Sequence, residues 1–404
     1  MIEQVRSYRF TIKQIFKEHW ENYLSSHKDS LRQDVIWTME KMLSCRNPEK
    51  LGYHKFACPE HPDQYIIVPH SCKTRFCNSC GKVLTDKWVE RIESDFPPTG
   101  FHHICFTVPK ELRQVLDEYR FLLNCLFRAS SRTVLSWSKE RHFLPAIVSS
   151  SHTSGRNLKF HPHIHMLMSS GGIDLKSKRL NWWKRCSFIP FKMLHKRYRF
   201  LLIQELKKTT RKYLEESSNP GKLSVFSYPG ILDSFLDPLL KINWYVHDST
   251  ELDHEDFTVS YIVRYAKRPP LAEWRILDYG KKSNSSEYMV TFSYKEREQP
   301  EIKWTVPVEK FISLLTQHIP PKHFRVVRYY GALATRTKPL FKRILSKLFR
   351  RMKEMAKFTH RRQRLTSFTG KDPLRCPICQ REMELVEVAY FSRRLGSLDF
   401  YHPP

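Results

Sequence analysis

The sequence predicts a mixed α/β or α+β protein, with helices packed on a sheet, a small metal-binding module ahead of it and a basic helical region behind. Three observations predict this. Runs that read as strands alternate with runs that read as helices through the middle of the chain. Five of the ten cysteines fall between Cys45 and Cys80. The stretch FHPHIHMLM, Phe160 to Met168, sets a histidine at every second position and then turns apolar.

Composition bounds the rest. At 404 residues and 41% hydrophobic content the chain is long enough for two or three domains with real cores. Its formal net charge of +28, a pI near 9.7 and 13% aromatic residues point to a polyanion with stackable bases. No apolar run approaches the roughly 18 residues of a membrane-spanning helix. The start, MIEQVRSYRFTIKQIF, lacks a signal-peptide core, so a cytoplasmic location is expected.

In chain order, FTIKQIFKEHWENYLSS and LRQDVIWTMEKMLSC carry helical apolar spacing and lead into the cysteine region. PPTG at residues 97–100 breaks the chain, and FHHICFTVP reads as a buried strand. Glu111 to Glu140 is helical, the histidine strand follows, and Leu180 to Glu216 reads as a long basic helical region. VSYIVRYAKR predicts a helix stopped by Pro269 and Pro270. EYMVTFSY and EIKWTVP read as a hairpin, VEKFISLLTQHI as a short helix, and Lys338 to Arg364 as a helix crowded with Lys and Arg. The expected domains are residues 1–96, helices with a zinc-binding, DNA-contacting module; 97–335, a catalytic domain; and 336–404, a basic helical tail with a CxxC turn.

In CPEHPDQYIIVPHSCKTRFCNSC, the pairs Cys58/His61 and Cys77/Cys80 have the spacing of a closed, structural tetrahedral zinc site. Cys72, His70, His54 and Cys45 are also in range, which leaves a second ion or an exchanged ligand open. Reduced cysteines in a small core are the bland alternative, but the surrounding residues are too polar to hold together without metal. Lys73, Arg75 and Lys82 suggest that the module touches DNA. CPICQREM offers a lone pair, Cys376 and Cys379, with only His402 visible as a further partner, which divides evenly between a partial zinc knuckle and an ordinary turn. Cys105, Cys125 and Cys186 read as packing residues.

On a strand, His161, His163 and His165 project from one face while Ile164 packs behind them, which makes a row of imidazoles ready for a metal. The alternative is a half-buried strand whose polar face happens to carry histidines. Tyr261 and Tyr265 stand one helical turn apart on one face. By itself such a pair is more often packing than chemistry. It gains weight here from the histidine strand and the charge.

Together these residues resemble the rolling-circle insertion-sequence transposases of the HUH, two-tyrosine type with an N-terminal zinc-binding domain. His163-Ile164-His165 matches the histidine–hydrophobic–histidine motif, Tyr261 and Tyr265 the YxxxY helix, and the cysteine cluster the zinc region. FHHICFTVP, HIPPKHFRVVRYYG and the late CPxC are also similar, so the likeness runs from about Cys45 to Cys379. His61 stands where members commonly carry a cysteine. The resemblance implies an antiparallel HUH endonuclease-like sheet flanked by helices. It implies Mg²⁺ or Mn²⁺ on His163 and His165, with His161 the best third ligand and His103 the reserve, and Zn²⁺ in the cysteine module. It also implies tyrosine attack on single-stranded DNA at the transposon ends, by Tyr261 first, through a 5′-phosphotyrosine. Arg264, Lys267 and Arg268 on the tyrosine helix would hold the strand. RLNWWKRCSF and HKRYRF would stack bases and neutralise phosphates, although Trp182 and Trp183 serve equally well as core residues.

Two alternatives stay open. A replication initiator or relaxase uses the same chemistry, but the zinc cluster and the lack of a GxxxxGK[ST] loop favour a transposase that relies on a host helicase or on DNA already single stranded. A non-catalytic zinc-dependent DNA-binding protein would bind DNA without Tyr261 and Tyr265 and form no covalent adduct.

Overall fold

Thr11 accepts a hydrogen bond of 3.1 Å from the Gln14 amide and so caps α1 (Ile12–His27). That helix buries Ile12, Ile15, Phe16, Trp20 and Tyr23, a stripe at helical spacing. α2 (Gln33–Leu43) buries Val35, Ile36, Met39 and Met42 in the same way. Asn47 caps the single turn α3 (Pro48–Leu51), whose first position holds a proline that costs no hydrogen bond there.

The structure, a computed structural model, describes residues 9–95, 100–177, 179–181, 189–249, 270–282, 285–296, 299–348, 372, 374–392 and 394–403. After α3 come β1 (Gly52–Ala57), β2 (Tyr65–Pro69), α4 (Asn78–Asp95), β3 (Phe101–Thr107), α5 (Lys110–Glu118) and α6 (Leu123–Glu140). Next are β4 (Phe143–Ser154), β5 (Phe160–Asp174), β6 (Leu180–Asn181), α7 (Phe191–Glu216), α8 (Ile231–Leu236) and β7 (Val246–Ser249). The chain continues through β8 (Ile276–Lys281), β9 (Tyr288–Lys295), β10 (Glu301–Pro307), α9 (Val308–Thr316), β11 (Val327–Gly331) and α10 (Lys338–Leu348). It closes with β12 (Glu384–Ser392) and β13 (Ser397–Tyr401).

These elements form two units, and every sheet in them is antiparallel, so the fold is α+β. One unit takes Met1–Leu84, Arg268–Ile319 and Glu354–Pro404. It holds a sheet of order β13-β12-β1-β2 and a second of order β10-β9-β8. The other takes Thr85–Lys267 and Pro320–Lys353 and holds the sheet β11-β4-β5-β3-β7, with β6 paired to β5.

In the second unit the period of two sorts the side chains. Ile104, Phe106, Ile164, Met166 and Met168 leave one face and bury against α6 and α7 through Leu126, Phe127, Trp137 and Tyr198. Each such burial contributes roughly 1.5–3 kcal/mol. The opposite face carries Phe101, Val148 and Leu167 into a second core with Trp88, Ile92 and Phe341. Along β5, Leu167 is thus the apolar continuation of the face that bears His163 and His165.

The β9–β10 hairpin and α9 lie where the sequence reading put them. Two stretches differ. The helix expected from Leu180 starts at Phe191, because Pro190 holds extended backbone before it and Leu180 and Asn181 pair with β5. The C-terminal region is expected to be a basic helix with a CxxC turn; α10 and a turn at Cys376–Cys379 are present, and the β12–β13 hairpin beyond them is not helical. ELVEVAYFS alternates β-branched and aromatic residues at period two, which suits a strand. Among the described residues no helix is long and apolar enough to cross a membrane. The helix expected at VSYIVRYAKR lies outside the described residues.

Candidate metal centres

β5 is central in its sheet, and the register sets what its histidines face. On β3, Cys105 lies opposite His165 and Thr107 opposite His163. On β4, Ser150 lies opposite His165 and His152 opposite His163. Residues directly opposite in an antiparallel pair share a face, so imidazoles and a thiol from three strands converge there. The ligand atoms of Cys105, His163 and His165 lie within 4.8 Å of one another.

The hydrogen bonds orient these rings. His163 Nδ1 is 2.7 Å from the His161 carbonyl, which only accepts, so Nδ1 carries the proton and the Nε2 lone pair is exposed. His165 Nδ1 is 2.9 Å from His103 Nε2; when it donates there, its own Nε2 is bare as well. The two Nε2 atoms are 3.0 Å apart. Adjacent donors of an octahedral ion bound at 2.0–2.1 Å are about 3.0 Å apart, so the pair fits two neighbouring positions around a small dication.

Burial pushes the pKa of His163 down and that of His165 well below the usual histidine range, the latter helped by His152, His163 and His103. Both rings are therefore neutral near pH 7, the form that ligates. His161 is brought down to about 4 by burial, then by Arg113 and His163. Its Nε2 lies 3.4 Å from Arg113 Nη2. His152, by contrast, has its ring 4.6 Å from that of His165, centroid to centroid. Cys105 and His152 escaped the sequence reading because only strand register brings them to the pair.

The cysteines sort into two groups, which corrects the pairing of Cys58/His61 with Cys77/Cys80. Cys45, Cys72, Cys77 and Cys80 form one group, all buried. Its sulfur separations are 3.6 Å for Cys45–Cys80, 3.5 Å for Cys72–Cys80 and 3.9 Å for Cys45–Cys77. Zn–S bonds of about 2.3 Å give tetrahedral edges of about 3.8 Å, so the set fits zinc. Hydrogen bonds from Cys72 and Cys77 pull the Cys45 thiol down, and sharing with Cys45 pushes Cys72 up to about 11. Four thiols this close ionise together only beside a dication. Cys58 and His61 lie instead with Cys376 and Cys379.

Of the cations named for DNA contact, Lys73 and Lys82 are exposed, whereas burial draws Arg75 down to about 10. Tyr261, Tyr265, Arg264, Lys267 and Arg268 lie outside the described residues, as do Trp182 and Trp183. A cavity of about 780 Å³ in the second unit is lined by cations, Arg128, Lys322, Arg325 and Arg328, interleaved with Phe324 and Tyr330.

Comparison with known proteins supplies what geometry alone does not. A family described as a transposase zinc-binding domain matches residues 15–108, and one described as a putative transposase matches residues 147–339. The chain is 28% identical over 378 residues to the transposase for insertion sequence element IS801 of Pseudomonas savastanoi pv. phaseolicola, covering 90% of this chain and 86% of that one. It is 26% identical over 398 residues to the putative transposase y4qJ of Sinorhizobium fredii, covering 93% and 95%. No solved structure matches.

Proposed function

The chain belongs to the IS91/IS801 family of transposases with an N-terminal zinc-binding domain, and on that premise we propose that it nicks and rejoins single-stranded DNA at transposon ends through a 5′-phosphotyrosine. The observation that carries this reading is the His163–His165 pair, its Nε2 atoms 3.0 Å apart on a central strand. Mg²⁺ or Mn²⁺ on these nitrogens would polarise the oxygens of the scissile phosphate. For the third ligand, the Cys105 thiol lies with the pair and the His152 ring is 4.6 Å from that of His165, whereas Arg113 stands beside His161. Imidazole donors suit Mn²⁺ better than Mg²⁺, so Mn²⁺ supports the faster reaction.

In the cutting step the Tyr261 phenolic oxygen attacks the phosphorus and the bond to the 3′ oxygen breaks. The phenolic proton passes to solvent, and the departing oxygen takes one up to become a 3′-OH. The phosphodiester energy stays in the tyrosine ester, and a 3′-OH that later attacks it restores the free tyrosine. Tyr265 makes a second cleavage or takes part in strand transfer while Tyr261 is occupied. Arg264, Lys267 and Arg268 hold the strand beside the tyrosines. The cationic, aromatic cavity supports a path for the strand, because phosphates and stacked bases both find partners there. Strand separation falls to a host helicase or to DNA already single stranded.

The test is purified protein with labelled single-stranded DNA bearing the element's ends, plus Mn²⁺, run on a denaturing gel. A protein-linked band is expected that needs metal, is lost in Tyr261→Phe/Tyr265→Phe and in His163→Ala, and is weakened in one single tyrosine variant more than the other. Tight binding with no linked band would select the non-catalytic DNA-binding protein instead.

A further inference from the structure

We propose that a second zinc ion, bound by Cys58, His61, Cys376 and Cys379, clasps the C-terminal hairpin onto the strand that leads into the cysteine module. Neither family match reaches Cys376 or Cys379.

The four ligand atoms, three sulfurs and an imidazole nitrogen, lie within 4.8 Å of one another. Cys58 Sγ is 3.5 Å from Cys379 Sγ and 3.8 Å from His61 Nδ1, and Cys376 Sγ is 3.9 Å from the same nitrogen. Bonds of about 2.3 Å to sulfur and 2.0–2.1 Å to nitrogen give tetrahedral edges of about 3.6–3.8 Å. The separations therefore match a tetrahedral S₃N site. A disulfide needs its sulfurs about 2.05 Å apart and would leave His61 without a purpose in the group.

Both halves are built as tight loops that aim their ligands at one point. Cys58 follows β1, its amide donating to the Gln64 carbonyl at 3.1 Å, while the Gln64 amide donates to the His61 carbonyl at 2.8 Å. In the other half the Gln380 amide donates to the Cys376 carbonyl at 3.0 Å and the Cys376 amide to the Arg381 carbonyl at 2.8 Å. Gln380 takes a φ of 60°, which turns the chain back after Cys379. An ion pair between Arg381 and Glu60 spans the two loops at 2.5 Å. It is exposed and contributes little.

The need for an ion follows from what surrounds it. Among the described residues the local core has Cys58, Cys376 and Met383 buried, with Phe56, Ile66 and Cys379 partly so. That is too little apolar area to hold segments more than 300 residues apart in sequence. Strand pairing sets them side by side, Phe56 opposite Leu385 and Ala57 opposite Glu384. A metal at the end of that pairing then fixes its register.

The experiment uses full-length protein purified under reducing conditions, with metal content measured by plasma mass spectrometry and cobalt(II) exchanged for zinc. Two zinc ions per chain are expected in the wild type and in His61→Cys, and one in Cys376→Ser/Cys379→Ser. The cobalt spectrum should contain an S₃N and an S₄ component, and His61→Cys should convert the first into S₄ without loss of metal. One zinc per chain in the wild type, two retained in the double variant, or a Cys58–Cys379 disulfide in peptide mapping would each overturn the proposal. Should the double variant misfold and lose both ions, the wild-type stoichiometry and the His61→Cys spectrum still decide it.

Discussion

His103 Nε2 lies 2.9 Å from His165 Nδ1, joining two residues 62 positions apart across neighbouring strands. A ligand imidazole held through its far nitrogen keeps its tautomer and direction. Loss of such a partner usually weakens metal binding 10–100-fold.

His103→Ala should therefore raise the Mn²⁺ concentration for half-maximal nicking by about 10–100-fold, with much of the rate recovered at saturating metal. His103→Gln, which can accept the same hydrogen bond, should recover part of the affinity. A metal titration unchanged in His103→Ala would remove His103 from this role.

Glu205 on α7 joins Arg128 and Arg132 on α6 at 2.7 and 2.6 Å. Burial opposes its charge, but the two guanidiniums outweigh burial and hold its carboxyl below the usual range. Stability from this clamp is thus fully present above the unfolded carboxyl value of about 4.3 and is lost as pH falls through the lower folded value. Because the arginine side chains are 41% and 58% exposed, Glu205→Gln should cost about 1–2 kcal/mol at pH 7 rather than the full cost of a broken buried pair. Urea melts at pH 7 and pH 3 should show the difference between the two proteins shrinking in acid.

Lys322 and Arg325 are exposed cations that line the cationic cavity. Each phosphate neutralised on a single strand contributes about 0.7 to the slope of log affinity against log salt. Lys322→Ala/Arg325→Ala should lower that slope by about 1.4, read by anisotropy of labelled single-stranded DNA over a salt series. An unchanged slope with unchanged affinity would take the strand elsewhere.

Gly331 ends β11 with φ of 61°, and a Cβ there would sit 2.0 Å from the Pro145 carbonyl oxygen. Strained backbone and backbone collision add, so Gly331→Ala should cost about 3 kcal/mol or more. A fall in Tm on the order of 6–12 °C is expected by calorimetry. A shift under 2 °C, read against about 2–4 °C per kcal/mol, would show that the β4–β11 edge yields easily.

Much of the architecture was legible because it obeys local rules. FHHICFTVP and FHPHIHMLM read as strands and are β3 and β5, since alternation and β-branched or aromatic residues suit a pleated sheet. The α1 and α2 stripes were equally plain. The basic, aromatic lead-in to the long helix is helical in composition, but Pro190 weighs more than composition does and the helix begins at Phe191. In the sequence Cys105 reads as a packing residue, since a lone cysteine in an apolar strand carries no mark of what stands opposite.

By itself the sequence determined which side chains share a face, which segments are strands and helices, how strongly the chain is charged, and that its cysteines want a metal. Apart from the charge, which is a sum over the chain, these are set by residues near one another in sequence. The tertiary structure decided the partnerships: His152 and Cys105 beside His163 and His165, and Cys58 with His61 beside Cys376 and Cys379 rather than Cys77 and Cys80. The physical reason is register. Periodicity tells which way a residue points, but what it meets depends on which distant strand is laid alongside and at what offset, and that is settled only when the whole sheet packs.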